Sequence, residues 1–307
     1  MKVNQPVHNR TFSAVNVHNR TFPAAMKART PANVHAAGSM GTFDDHTSSE
    51  MQIVAASATD WNCPACYGIV PLIMTKGDCR NMTENFYDRE TNSIEWIDPE
   101  TWERKDLFAA YLGTDLPYII ITANVDVTKP LRYAKKKGLS FNLVMVYLCV
   151  KAMDQIPNYR YRFINGKPFV IDHTRPVINH IIPGQELFVM AEGKWPCEDI
   201  EEFCRETHKR LETAGPDSRE IMRQGKLDLV NFTSLPWVQY TGFIRTIRTD
   251  GVDNAPKMSF GKYFEDPAVP GRVWMPVSSQ THHGLMDGWH VGRFYEMLQK
   301  ACDEIEE

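Results

Sequence analysis

The segment from Arg272 to Ile305 constrains the architecture more than any other stretch of the chain. Apolar and polar side chains alternate from Arg272 to Thr281 through Val273, Met275 and Val277, the period of a half-buried strand. Beyond Gly288, the residues Val291, Phe294, Leu298 and Ile305 recur at helical spacing. Between the two lies Gln280-Thr281-His282-His283-Gly284-Leu285-Met286-Asp287-Gly288. A histidine pair therefore sits where a strand runs out into a loop. A side chain there can face a cleft while rigid elements hold its backbone. An imidazole in such a cleft can act as general base, because its ordinary pKa lies near neutrality. A carboxylate one turn further on can brace the turn through a salt bridge. A lone His-x-x-x-Asp-Gly also arises by accident, so the remainder of the chain has to decide.

Composition excludes several functions. A chain of 307 residues can bury one large core or two modest ones. The formal net charge of −4 and a pI near 6.2 argue against nucleic-acid binding. Lys135-Lys136-Lys137 reads as a solvated helix face. No apolar run has the length of a membrane span, and the N-terminal residues lack a secretory apolar core. Seven cysteines, an odd number widely spread, do not suggest a disulfide framework. The expectation is a cytoplasmic protein in a reducing compartment.

Two regions differ in character. Val7-His8-Asn9-Arg10-Thr11-Phe12 recurs as Val17-His18-Asn19-Arg20-Thr21-Phe22, without a periodic apolar face. The stretch that follows, to about Glu50, is rich in Ala, Ser, Thr, Gly and His and has few large apolar residues to offset the entropy of ordering. Residues 1–92 are expected to form a poorly structured extension. Cys63-Pro64-Ala65-Cys66 within it could be a redox dithiol or half of a zinc site, but no βαβ context accompanies it, and Cys79 with a nearby histidine is only a loose candidate for the two further ligands. No metal is expected. The Asn-x-Thr triplets at Asn9, Asn19, Asn81 and Asn231 read as chance, since nothing suggests secretion.

Residues 93–307 read as one ordered α/β domain of the α+β type. Strands are expected at 117–127, 159–164, 168–171, 177–182, 186–191, 230–232 and 238–247, parted by Asn-Gly, Asp-His and Pro-Gly turns. Phe141 to Ile156 reads as a helix with Leu143, Val144, Tyr147 and Leu148 inward, stopped by Pro157. Ile200, Phe203, Cys204, Thr207 and Leu211 form one stripe of a second helix. Strand clusters separated by helices, without strict βαβ alternation, imply a mixed sheet covered by helices.

The specific letters go further. His282-His283-x-x-x-Asp287-Gly288-Trp289-His290-Val291-Gly292-Arg293-Phe294 closely resembles the C-terminal signature of the chloramphenicol acetyltransferase family. Trp102-x-Arg104-Lys105 with Phe108 and Tyr111 is similar to the family's opening helix. Asn231-Phe232-Thr233-Ser234-Leu235-Pro236-Trp237 is similar to its central strand, and Ala255-Pro256 with Gly261-Lys262-Tyr263 to the next. The likeness runs from about residue 96 to the C-terminus. Plant-type acyltransferases and peptide-synthetase condensation domains carry the same motif in pseudo-dimers too long for this chain. Dihydrolipoamide acyltransferase cores usually follow a lipoyl domain, of which no pattern is present upstream.

The resemblance implies a direct acetyl transfer from acetyl-CoA, used as co-substrate with no permanently bound cofactor, to a hydroxyl acceptor. His283 would be the general base, with its other ring nitrogen on its own backbone carbonyl. Asp287 would be structural, paired with Arg104. Thr233 stands where relatives have a serine that steadies the oxyanion, and its added methyl stiffens χ1. Ser259 occupies a second hydroxyl position, and Trp237 and Tyr263 would wall the CoA channel. On the acceptor side the resemblance places Tyr111, Phe188 and Asn179, with Ala110 and Tyr118 departing from the usual residues and Ser140 replacing a base that meets CoA phosphate. It also implies a homotrimer with active sites between subunits. Two alternatives stay open: the same chemistry on another hydroxylated metabolite, and a non-catalytic binding protein built on the fold.

Overall fold

Strands with one apolar face cannot stay in water and must be covered; here helices supply that cover. The computed structural model describes residues 86–248 and 253–306. In chain order these form β1 (Ile94–Trp96), α1 (Lys105–Leu112), β2 (Tyr118–Asp126), α2 (Thr128–Lys137) and α3 (Phe141–Asp154). There follow α4 (Pro157–Arg160), β3 (Tyr161–Ile164), β4 (Lys167–Ile171), β5 (Arg175–Ile181), β6 (Phe188–Glu192) and α5 (Ile200–Thr213). A 3-10 turn (Pro216–Arg223), β7 (Leu229–Leu235), β8 (Lys257–Gly261), β9 (Phe264–Glu265), β10 (Val273–His282) and α6 (Gly288–Glu304) complete the order.

The main sheet has seven strands in the order β2-β10-β8-β7-β5-β6, with β9 against the start of β10. The β5–β7 and β7–β8 pairs are parallel and the others antiparallel, so the sheet is mixed. A separate small sheet joins β1, β4 and β3.

Successive residues of a strand face opposite ways, and the two faces of the main sheet differ sharply. One carries Ile178, Val230, Phe232, Met258, Phe260, Met275 and Val277, buried in a single core with the helices. The other carries Asn179, Asn231, Thr233, Ser259, Ser278 and Gln280, by the same alternation and the observed registers. Helix α3 lies deepest. The single inward stripe expected for it is too narrow: Met145, Val146, Cys149 and Val150 are buried as well. It packs against α2, α5 and α6 and against β5, so all of Leu143 to Val150 is buried and apolar, while Lys151 reaches out to Glu198. The cysteines Cys149, Cys197, Cys204 and Cys302 are all free and all in this core.

Four expectations need correction. First, β10 is buried on both faces over its last eight residues, not half-buried. Two of its serines are bonded there: Ser278 Oγ donates to Phe243 O at 3.1 Å, and Ser279 Oγ lies 2.9 Å from the Tyr159 hydroxyl, whereas Thr281 Oγ1 and Gln280 Nε2 have no hydrogen-bond partner among the described residues. Second, Val238–Ile247 is not a strand. It crosses the polar face as irregular chain, and the sheet's own groups satisfy part of its backbone. Third, α3 ends at Asp154, and Pro157 opens α4 at the first-turn position where its missing N–H costs nothing. Tyr159 thereby belongs to a helix rather than a strand. Fourth, the ordered domain begins no later than Phe86, within the segment expected to be unstructured. The Phe86 ring packs 5.1 Å from Phe169, and its carbonyl accepts from Leu227 N at 2.7 Å.

The tandem repeat, Cys63, Cys66, Asn9, Asn19 and Asn81 lie outside the described residues. Among the described residues, no helix is long and apolar enough to cross a membrane, and no group of His, Cys, Asp and Glu side chains is arranged to hold a metal ion.

Candidate active site

Strand β10 delivers the two histidines to opposite environments. His282, its last residue, is buried, with its ring edge-on to Tyr118 and Phe163. Its Nδ1 accepts from Gly284 N at 3.1 Å, which tightens the turn. Burial depresses its pKa to about 4, so it stays neutral near pH 7. His283 is the next residue and faces the other way, its side chain 30% exposed. Its backbone N–H is held by Pro117 O at 2.7 Å.

Two contacts fix the His283 imidazole. The Tyr111 ring of α1 stacks flat on it, centroid to centroid 4.0 Å with 13° between the planes. Its Nδ1 lies 3.2 Å from the Met286 carbonyl. A carbonyl only accepts, so that nitrogen carries the proton and Nε2 keeps a free lone pair. The partner differs from the one the resemblance implied. The histidine's own carbonyl is occupied, accepting from Arg104 Nη2 at 3.3 Å.

Arg104 is buried and clamps the whole loop. It meets Asp287 with two nitrogens, at 2.6 and 3.2 Å, and Gly284 O through Nε at 3.3 Å. The hydrogen bond from Arg104 holds the Asp287 carboxyl below its ordinary pKa, against the opposing effect of burial. Asp287 Oδ1 is also 3.5 Å from His283 Nδ1, on the protonated side of the ring. Asp287 N donates to His290 Nδ1 at 3.0 Å, closing the first turn of α6.

A second cluster occupies the polar face of the sheet. Asn179 Nδ2 donates to Thr233 Oγ1 at 2.7 Å, and Asn231 Nδ2 donates to Asn179 Oδ1 at 3.1 Å. Arg245 bonds Asn231 Oδ1 through Nη2 and Asn231 O through Nη1 at 2.8 Å. Its backbone N–H donates to Gln280 Oε1 at 2.9 Å. Ser259, buried, is directly beside Thr233 in the β7–β8 register. Phe188 lies on the same face, opposite Ile181.

The sequence-predicted residues thus fall into two groups. Arg104, Tyr111, His283 and Asp287 come together around the loop; Asn179, Thr233, Ser259 and Phe188 share the polar face. Among the described residues, no hydrogen bond or ion pair joins His283 to Thr233. Trp237 and Tyr263 are apart from both, 65% and 47% exposed, with the Tyr263 ring edge-on to Phe141 at the start of α3. Asn179, assigned to the acceptor pocket, has its amide engaged at both ends inside the sheet. Tyr111, likewise assigned there, stacks on the imidazole. Ala110 is exposed on α1, and the Tyr118 hydroxyl donates to Asp253 O at 2.8 Å. Sequence reading missed Arg245 and Asn231 as site residues. The one available signal was an arginine inside an apolar run read as a strand.

A mixed sheet with helices on one face, ending in a histidine-bearing loop clamped by an arginine, is the build of an acyltransferase. Residues 92–299 match the family model described as chloramphenicol acetyltransferase, and the chain belongs to that family. It is 30% identical over 211 residues to chloramphenicol acetyltransferase 2 of Haemophilus influenzae, covering 68% of this chain and 97% of the relative. It is also 30% identical over 215 residues to the chloramphenicol acetyltransferase of Clostridium perfringens, covering 68% and 95%. A solved chloramphenicol acetyltransferase structure superposes with a TM-score of 0.62 at 25% identity, over 68% of this chain and 99% of that one.

Proposed function

We propose that the chain transfers the acetyl group of acetyl-CoA to a hydroxyl of chloramphenicol, with His283 as general base. The observation that carries this reading is the His283 ring. Its Nδ1 hydrogen points at a carbonyl, its plane is set by Tyr111, and its Nε2 lone pair is left for a substrate proton. Nε2 takes the hydroxyl proton as the acceptor oxygen attacks the thioester carbonyl. The carbonyl electrons move onto oxygen, and the Thr233 hydroxyl donates to that oxyanion. Collapse expels the CoA thiolate, which recovers the proton from His283. No acyl-enzyme is needed.

The separation of the two clusters within one chain supports a site assembled from two subunits, as in the homotrimer implied by the resemblance. Ile181, Leu187, Val238 and Ile244, exposed around the polar face, are apolar surface that such an assembly would cover. The test is release of CoA thiol from acetyl-CoA with chloramphenicol. Replacing the base by His283→Ala lowers kcat by about 10²- to 10⁴-fold. Undiminished turnover in that variant would end the mechanistic claim.

One observation favours a second acceptor. Ala110 on α1 and Asn179 on β5 depart from the residues that the resemblance places on the acceptor side, and a changed pocket suits a different alcohol. Thiol release with such an alcohol and none with chloramphenicol would select it.

A further inference from the structure

The hydrogen bonds on the polar face form a chain with one direction. An arginine has donors only, so Asn231 must present Oδ1 to Arg245. Its Nδ2 is then the atom that faces Asn179, which must answer with Oδ1. Asn179 Nδ2 is left to face Thr233, whose oxygen accepts. The two amides could each be turned over if they stood alone; the guanidinium removes that freedom from both. The distances run 2.7 Å from Asn179 to Thr233, 3.1 Å from Asn231 to Asn179, and 2.8 Å from Arg245 Nη1 to Asn231 O.

The consequence falls on the Thr233 proton. Because Oγ1 accepts from Asn179, the threonine O–H cannot point along that bond and must seek another acceptor. We propose that Arg245 is a positioning residue that, through Asn231 and Asn179, keeps the Thr233 hydroxyl turned outward as a donor to the acyl oxyanion. The inference rests on the role given to Thr233 in the proposed function and adds what enforces it.

Three further points agree. Arg245 makes no ion pair among the described residues, its guanidinium being spent on Asn231 alone. Although burial lowers its pKa to about 10, it remains protonated at neutral pH, so the chain begins at a positive charge. Polarisation along linked hydrogen bonds then strengthens the terminal donor. The arginine is itself held in place, since its backbone N–H is anchored by the buried Gln280 at 2.9 Å.

The experiment is a pair of mutant cycles read as kcat and KM for CoA release with chloramphenicol, and as the slow hydrolysis of acetyl-CoA without acceptor, which passes through the same oxyanion. Thr233→Val alone tests the oxyanion role. Arg245→Met is expected to lower kcat about tenfold with KM for acetyl-CoA within about twofold, Arg245→Lys to recover most of the loss, and Arg245→Met to add nothing in the Thr233→Val background. Asn179→Asp keeps the shape but can only accept, so the Thr233 proton turns inward to it. That variant should fall to the level of Thr233→Val and no further when the two are combined, and it serves alone if Arg245→Met does not fold. Additive losses, or a change confined to KM, would overturn the relay while leaving the Thr233 role intact. An unchanged kcat in Thr233→Val would overturn both.

Discussion

Neighbouring residues of one type can be given opposite tasks by a single alternation of the backbone. His282 turns inward and loses its charge; His283 turns outward and keeps its lone pair. The buried partner leaves a pH signature. Unfolded, it takes a proton near 6.5; folded, only near 4. Between those values the unfolded chain binds more protons, so stability falls as pH drops from 6.5 to 4 and levels off below that. The interval amounts to about 3 kcal/mol at about 1.4 kcal/mol per unit. Denaturant unfolding at pH 7 and pH 4.5 checks it: the His282→Gln variant should lose less stability on acidification than the parent. At this scale the loop was legible, because His283, Asp287 and Arg104 are named by motif and spacing. The Met286 carbonyl was not. Which backbone oxygen a ring nitrogen meets depends on how the turn closes, and Arg104 settles that from 179 residues away.

Elements declare themselves where one face is apolar. The stripe of α5 and the periodicity of α6 recur in the structure as their buried residues, Phe203, Cys204, Thr207 and Leu211 in one and Val291, Phe294 and Leu298 in the other. Val238–Ile247 misled because its apolar residues imitate strand alternation while the Phe243 carbonyl and the Arg245 N–H bond to Ser278 and Gln280 side chains of the sheet beneath. No local pattern encodes those partners. The segment is seated by Gly261, where an added Cβ would come within 2.9 Å of both Pro276 Cγ and Tyr240 Cε1. Both neighbours are ring atoms with little room to yield, and the Tyr240 hydroxyl is tied to Ser259 O at 2.8 Å. Gly261→Ala should therefore destabilise by about 1–3 kcal/mol, as overpacked sites do, and should lower kcat by shifting Arg245. Calorimetry with parallel kinetics measures both. Unaltered stability would mean that the segment slides freely.

For the whole molecule, the separation of the two clusters yields a complementation test. If the base comes from one subunit and the oxyanion donor from its neighbour, His283→Ala and Thr233→Val lie on opposite walls of the same cleft. Co-refolding the two inactive variants should regenerate some sites with both groups intact and restore a fraction of the activity. Variants mixed without subunit exchange should stay inactive. No recovery after verified exchange would place the whole site within one chain. The class of fold was legible at this scale, through alternating strands and striped helices. The starting point of the domain was not, because Phe86 is held by Phe169 and Leu227, contacts far along the chain that composition cannot foresee.

The sulfur atoms of the interior offer a clock for breathing of the fold. Burial raises the pKa of Cys149, Cys204 and Cys302 well above that of an ordinary thiol, so the reactive anion is scarce until the core opens. Alkylation at these three positions, followed by peptide mass spectrometry, should then proceed at the rate of opening and slow sharply when a tight ligand is bound.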